Sequence, residues 1–168
     1  MGCGKSSVGR KLSELLCCPF MDLDEVIVER EGRSIPEIFA SDGEAAFRRM
    51  ELEALRSIIA QSEDSVHQTD TIILALGGGT VMTPECAEIV KDLTCCIYLK
   101  ASIETLMEHL SGEADGRPML NGETLYERIT VLMAQRSETY EKTAHVIIDT
   151  DGKSIEAVAS EIVSMLNI

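Results

Sequence analysis

Aromatic and basic residues are both scarce in this chain of 168 amino acids. It has no Trp, three Tyr and three Phe, and its 15 Lys and Arg are outnumbered by 29 Asp and Glu, giving a net charge of -14. Such a surface repels nucleic acids and anionic membranes, so we expect neither as a partner. A small anionic ligand would need a site where a few of these cations are gathered.

Long apolar runs and metal-ligand patterns are missing too. No run approaches the roughly 18 residues of a membrane span, and the N-terminus lacks the layout of a signal peptide, so we expect a cytoplasmic protein. The six Cys form no CxxC and the three His are isolated. This pattern favours thiols in a reducing compartment over disulfides or metal ligands. The length and the 45% hydrophobic content predict one domain over residues 1–168, which we expect to be a monomer.

Short β-rich segments alternate with amphipathic ones along the chain. Strands are predicted at 19–23, 71–76, 94–100 and 145–150, and helices at 5–16, 43–61, 83–93, 102–110, 124–143 and 154–166. Ser34-Ile-Pro-Glu37 resembles a capping box. The alternation predicts an α/β fold with a parallel sheet covered on both faces, and ligands at the carboxyl ends of its strands. The polar segment 111–121 is predicted to be a surface loop that can serve as a lid.

The chain opens with Gly2-Cys3-Gly4-Lys5-Ser6-Ser7, which matches the end of a Walker A loop, GxxxxGK[ST]. In such a loop backbone N–H groups cradle phosphates, the Lys reaches the outer phosphates and the Ser hydroxyl binds Mg²⁺. The first Gly of the motif would fall two residues before Met1, and the strand that normally leads into the loop is absent, so we expect an N-terminally truncated chain. Alone, this half-motif is equally compatible with a glycine-rich start before a basic helix.

Two pairs of charged residues follow. Asp22 and Asp24 end a predicted strand, where period-two geometry would point both carboxylates to one side. One could hold Mg²⁺ through water and the other could engage a substrate hydroxyl, or both could be solvated acids that cap a helix. Arg48 and Arg49 lie about 100° apart on a predicted helix, so one is expected to face the cleft and bind a carboxylate. A solvated ion-pair face is the alternative.

Three further features lie where a strand or loop meets the expected cleft. Gly77-Gly78-Gly79 directly follows the predicted strand 71–76, and three glycines allow positive φ and a close approach of the backbone to a ligand. Arg117 lies in the predicted lid, from which it could reach a transferring phosphoryl group. Arg136 and Tyr140 are one helical turn apart and share a face. A plain turn and solvated salt bridges are the alternatives.

Six segments of the chain, in order and at about the same spacing, resemble the shikimate kinase family: GCGKSS, DLDEVI, GRSIPEIFASDGEAAFRRME, LGGGTV, RPML and QRSETYEKTA. The resemblance implies a P-loop nucleoside-monophosphate-kinase-like three-layer sandwich. Its five-stranded parallel sheet would have the order 2-3-1-4-5, with the first, central strand missing from this chain. It also implies transfer of the γ-phosphoryl group of ATP to the 3-hydroxyl of shikimate, with Mg²⁺, in aromatic amino-acid biosynthesis.

The resemblance also implies a role for each matching residue. Residues implied to bind ATP are Gly2, Cys3, Gly4, Lys5, Ser6, Ser7 and Arg117. Residues implied to bind the metal are Ser6 and Asp22. Residues implied to bind shikimate are Asp24, Arg48, Gly77, Gly78, Gly79 and Arg136. The implied catalytic residues are Lys5, Asp24 and Arg117.

One departure and two alternatives accompany this interpretation. Family members often carry a basic residue shortly before the lid Arg-Pro that stacks on adenine, whereas residues 110–116 contain no Arg or Lys. This difference predicts weaker adenine binding or base selectivity. A related kinase of another small metabolite, such as gluconate, and a non-catalytic binding protein are the alternative functions. Retention of Lys5, Ser6, Asp22 and Asp24 argues against the second.

Overall fold

Strands and helices alternate along the chain in the computed structural model, which describes residues 2–63, 71–112 and 124–166. The four strands of this described part are β1 (Phe20–Asp22), β2 (Ile73–Ala75), β3 (Ile97–Lys100) and β4 (Val146–Asp149). Its helices are α1 (Lys5–Leu16), α2 (Leu23–Glu31), α3 (Ile35–Glu63), α4 (Pro84–Leu93), α5 (Ile103–Gly112), α6 (Leu125–Thr143) and α7 (Ile155–Leu166). A 3₁₀ turn, Thr80–Met82, follows β2.

The strands form two parallel pairs. β1 pairs with β2, with Phe20 opposite Ile73, and β3 pairs with β4, with Ile97 opposite Val146. These are the pairings that the order 2-3-1-4-5 requires if the four strands are its second to fifth. Between β2 and β3 lies a cavity of about 90 Å³, whose lining includes Cys3, Lys5, Leu76, Gly77, Tyr98 and Tyr140.

Helices cover the strands on both faces. Ile73 of β2 packs against a core cluster that contains Val8 and Leu12 of α1 and Ile162 of α7. The next residue, Leu74, packs against a second cluster built mainly from α2, α3 and α4. Successive strand residues therefore face opposite layers, as expected of a buried parallel sheet. A third, smaller cluster joins α5 to α6.

The predicted strands and most predicted helices are confirmed within a few residues at each end. α2 was not predicted, because its apolar residues show little helical periodicity. The helix predicted at 43–61 is the second part of α3, which already begins at Ile35. The two parts meet at a kink at Gly43, which has φ 79° and ψ 173°. At Ser34 half of the capping box is present, since Glu37 accepts hydrogen bonds from both the Ser34 N–H and the Ser34 hydroxyl. No helix among the described residues is long and apolar enough to span a membrane.

The space between β2 and β3 predicts that a fifth parallel strand would stabilise the fold. Tyr98 Oη is buried there without a hydrogen-bond partner among the described residues, and a strand would also pair two open edges. Because Cys3 and Lys5 line the cavity, six β-branched residues added before Met1 should enter it. We expect the melting temperature to rise by about 5 °C or more. A Gly/Ser extension of equal length is the control, and equal melting temperatures for both would contradict the prediction.

Candidate active site

A short loop with two left-handed glycines leads into α1. Gly2 has φ 71° and Gly4 has φ 75°, a region that costs residues with a Cβ about 1 kcal/mol or more. α1 begins at Lys5, and the first N–H groups of a helix have no carbonyl of the same helix to bind. These N–H groups and the positive end of the helix dipole suit an anionic group such as phosphate.

Ser6 and Asp22 bring two oxygen ligands together beside this loop. Ser6 Oγ donates a hydrogen bond to Asp22 Oδ2 at 2.7 Å and so joins α1 to the carboxyl end of β1. Mg²⁺ prefers such oxygens, and it takes only one or two from the protein when water and phosphate supply the rest. No cluster of three or more His, Cys, Asp or Glu suited to a metal occurs in the described residues. The pair therefore fits a Mg²⁺ ion that is shared with a bound phosphate.

Asp22 and Asp24 were predicted to lie together at the end of one strand, and this prediction is wrong. β1 ends at Asp22, whose Oδ1 accepts a hydrogen bond of 3.0 Å from the Asp24 N–H and thereby caps α2. Asp24 lies in the first turn of α2, because the chain turns into this helix directly after Asp22. The helix-capping alternative is thus correct for Asp22. Asp22 and Asp24 nevertheless both lie near the start of α1, beside the loop formed by Gly2, Cys3 and Gly4, which is called the phosphate loop below.

Asp24 is a carboxyl group with a perturbed proton affinity. Burial raises its pKa above the usual 3.8, and the neighbouring carboxylates of Asp22 and Glu51 raise it further. The positive charges of Lys5 and Arg48 act in the opposite direction and are the smaller influence. Two cations are thus close enough to Asp24 to affect its ionisation, which is typical of a functional site.

Arg48 is held in place by a carboxylate in the core. Its Nη1 donates to Glu51 Oε2 at 2.5 Å, and Glu51, only 1% exposed, also accepts from Thr80 Oγ1 at 2.6 Å. The second guanidinium nitrogen pairs with the exposed Glu44 at 3.0 Å. Arg49 is exposed, so the structure confirms that the two arginines face different ways.

Each of the three consecutive glycines lies against at least one of the side chains that the sequence indicated. A Cβ on Gly77 would lie 3.0 Å from Asp24 Oδ1, and one on Gly79 would lie 2.5 Å from Arg48 Nη1. The Gly78 carbonyl accepts hydrogen bonds from Arg136 Nη1 at 3.2 Å and from the Tyr140 hydroxyl. Side chains of the chain itself thus approach Gly77 and Gly79 closely, and the close approach of a ligand stays a prediction. The prediction of positive φ is wrong for all three glycines.

Sequence reasoning missed two parts of this site. Glu51 and Thr80 were not identified, although an acidic residue three positions after Arg48, on the apolar side of its helix, is a signal that could have indicated Glu51. Phe39, which is 38% exposed, stacks on Phe47 with ring centroids 4.8 Å apart, and the Arg48 guanidinium is 5.6 Å from the Phe47 ring. Phe47 is buried in the core, so Phe39 is the member of this pair that is open to solvent.

Two sequence predictions concern the lid and the adenine contact. Arg117 lies in 113–123, outside the described residues, as does most of the lid predicted at 111–121. Leu110, in the segment where a basic residue was expected, is buried and packs with Leu106 and Ile129. The Leu110 side chain also contacts Gly2, since a Cβ there would lie 3.0 Å from Leu110 Cγ.

Comparison with known proteins gives one consistent family. A family model described as shikimate kinase matches residues 1–167. A shikimate kinase of Thermus thermophilus is 42% identical over 99% of this chain and 85% of its own length. One from Geobacter metallireducens is also 42% identical, over 99% of this chain and 87% of its own length.

Solved structures agree with the sequence comparison. A shikimate kinase from Acinetobacter baumannii in complex with shikimate superposes with a TM-score of 0.86 at 29% identity, covering 99% of this chain and 88% of that one. The shikimate kinase of Aquifex aeolicus gives a TM-score of 0.78 at 30% identity, with 99% and 91% covered. Both chains are similar in fold over nearly their whole lengths.

The raised pKa of Asp24 predicts that Asp24→Asn stabilises the protein at neutral pH. A carboxyl whose folded-state pKa is raised contributes stability below its unfolded pKa and loses it as pH rises through the folded value, so a neutral amide removes this loss. We expect a melting temperature higher by about 1–2 °C at pH 7, a small gain because the group is partly exposed, and no gain at pH 3.

Asp42→Asn is the matched control with the opposite sign. A hydrogen bond from Arg33 lowers the pKa of Asp42, so its amide variant should be less stable than the parent at pH 7, and the difference should shrink as pH falls below the unfolded pKa and through the folded one. Scanning fluorimetry at both pH values measures the two effects. A lower melting temperature of Asp24→Asn at pH 7 would contradict the prediction.

Proposed function

This chain belongs to the shikimate kinase family, and from that premise we propose how its residues carry out phosphoryl transfer from ATP to shikimate. The chain is an ATP-dependent kinase that acts on a shikimate hydroxyl, within aromatic amino-acid biosynthesis. The observation that carries the proposed division of roles is the convergence of Asp24, Arg136 and Arg48 on three consecutive glycines, 77 to 79.

Shikimate binds, in this proposal, on the surface formed by Gly77, Gly78 and Gly79. Its carboxylate is bound by Arg48 and Arg136, because a planar guanidinium can bind a carboxylate through two parallel hydrogen bonds. Arg136 forms no ion pair with any described residue, and Arg48 keeps donors beyond the two used by Glu51 and Glu44. The exposed Phe39 ring, supported from below by Phe47, would contact the carbon ring of the substrate.

The phosphates of ATP bind at the loop formed by Gly2, Cys3 and Gly4 and at the first N–H groups of α1, including those of Ser6 and Ser7. Lys5 contacts the outer phosphates; it forms no ion pair within the described part of the chain, and its Nζ donates only a weak hydrogen bond to Cys3 Sγ, at 3.8 Å. Ser6 and Asp22 would hold Mg²⁺, Asp22 through water. When bound, the ion neutralises negative charge on the transferring phosphoryl group.

Asp24 acts on the acceptor hydroxyl, which we propose to be the 3-hydroxyl of shikimate. A carboxylate at this position orients the hydroxyl toward the γ-phosphorus and accepts its proton as the new P–O bond forms and the bond from the γ-phosphorus to the β-phosphate oxygen breaks, releasing ADP. Its raised pKa makes it a better proton acceptor than an ordinary Asp. Lys5 stabilises the phosphoryl charge in the transition state. Arg117, outside the described residues, is proposed to contribute in the same way.

The remaining proposals concern the setting of the enzyme. The working unit is proposed to be a monomer. All six cysteines are free, which fits the reducing cytoplasm. The ligands are small molecules, and the net charge of -14 disfavours nucleic acid and membrane partners.

An ADP-release assay tests the function and the role of Asp24 together. We expect ADP formation with shikimate and Mg²⁺ but not with gluconate or with water alone. Asp24→Asn should lower kcat by about 10²–10⁴ while ADP binding changes little, because the amide cannot accept the proton. Near-normal turnover of this variant would exclude Asp24 as the base. Shikimate-independent ADP release would argue against the proposed acceptor.

If Arg48 and Arg136 bind the shikimate carboxylate, replacing either by Lys should weaken shikimate binding even though the positive charge is kept. Arg48→Lys and Arg136→Lys should each raise the KM for shikimate by about tenfold or more, because an ammonium group cannot reproduce the two-pronged contact. The KM for ATP should stay within about twofold. Arg49→Lys is the matched control, since Arg49 is exposed on the same helix. An unchanged KM for shikimate in both variants would rule out the carboxylate clamp.

A further inference from the structure

The last full turn of α5 contacts the phosphate loop, although the two segments are more than one hundred residues apart in sequence. His109 Nδ1 lies 2.6 Å from the carbonyl oxygen of Gly2. The neighbouring Leu110 packs over Gly2, where a Cβ would lie 3.0 Å from Leu110 Cγ. Cys3 packs against the same small core cluster as Leu110. One polar and two apolar contacts thus attach the loop to α5.

The chemistry of the polar contact fixes the direction of the hydrogen bond. A carbonyl oxygen can only accept, so Nδ1 of His109 carries the hydrogen and donates it to Gly2. The Gly2 carbonyl and the Cys3 N–H belong to one trans peptide unit, whose C=O and N–H point in opposite directions. Holding the carbonyl at His109 therefore holds the Cys3 N–H pointing away from α5.

The two glycines that flank Cys3 make such an anchor useful. Gly2 and Gly4 are both at positive φ, where glycine has more backbone freedom than any other residue. A loop of this kind gains little rigidity from its own sequence, and its N–H groups bind phosphate well only if they are already oriented. The hydrogen bond from His109 restrains the Gly2–Cys3 peptide unit, the first of the two units between these flexible positions.

We propose that His109 is a positioning residue for the nucleotide, which orients the Gly2–Cys3 peptide so that the Cys3 N–H donates to a phosphate of ATP. This inference rests on the proposed function, since it requires ATP phosphates in the loop. It assigns to α5 a part in nucleotide binding that needs no basic residue in 110–116. His109 is exposed, so its ring serves no evident packing purpose in the core.

Two amide substitutions test the geometry of this bond without removing polarity. The side-chain nitrogen of His109→Asn lies where Nδ1 lay and can donate to Gly2, whereas that of His109→Gln lies one methylene further out. His109→Phe keeps a ring but has no donor. His145→Phe is the matched control, because His145 Nδ1 accepts from the Cys96 N–H at the opposite, amino ends of β3 and β4.

The measurements are the Kd of ADP with Mg²⁺ by calorimetry, the KM of each substrate, and the melting temperature. His109→Phe and His109→Gln should weaken ADP binding about fivefold, the effect of one neutral hydrogen bond, and His109→Asn should recover most of it. The KM for shikimate and the melting temperature should not change, and His145→Phe should bind ADP normally.

Two results would overturn the inference. One is equal ADP affinity in the Asn and Gln variants, and the other is a parallel loss of ADP affinity, shikimate affinity and melting temperature. These outcomes can be told apart from a failure of the proposed function, in which the unchanged protein itself neither binds ADP nor releases it in the presence of shikimate.

Discussion

The carboxylate of Glu51 is buried in the core, and a buried charge is tolerated only where hydrogen bonds and an opposite charge compensate it. Arg48 and Thr80 provide both, and this requirement fixes the guanidinium against Gly79. Residue 79 must therefore be glycine, since a Cβ there would overlap the guanidinium. The geometry of the proposed substrate surface therefore depends on one compensated charge in the core.

Charge around the site is close to balance, in contrast to the acidic chain as a whole. Asp22, Asp24, Glu44 and Glu51 oppose Lys5, Arg48 and Arg136 near the carboxyl ends of β1 and β2. Phosphates and a substrate carboxylate would add further negative charge, so their binding calls for additional positive charge. The proposed Mg²⁺ ion and Arg117 would both supply it, which explains why the site carries oxygen ligands as well as cations.

The phosphate loop lies where two parts of the molecule meet. On one side β1 and β2 carry Asp22 and lead into the glycine segment, and on the other side Cys3 packs against clusters built on β3, α5 and α7. Phosphoryl transfer requires donor and acceptor to be aligned within fractions of an ångström. A loop packed against both sides can transmit the position of one ligand to the other, and the contacts of α5 with Gly2 belong to this arrangement.

The sequence by itself determined the α/β alternation, most element boundaries and the position of the GK[ST] motif at the start of a helix, because periodicity, capping residues and this motif act over a few neighbouring residues. Residue patterns also marked most candidate residues, and the resemblance to a known family assigned a role to each. Only the tertiary structure revealed the helix that begins after Asp22, the burial of Glu51, and the α5 contact with Gly2. The last two depend on groups that long-range packing brings together: Glu51 meets Thr80 across 29 residues and His109 meets Gly2 across 107. A local pattern can mark Glu51 as an acid on the apolar side of its helix, but it cannot give the distant partner, because packing of the whole chain decides which side chain reaches a given group.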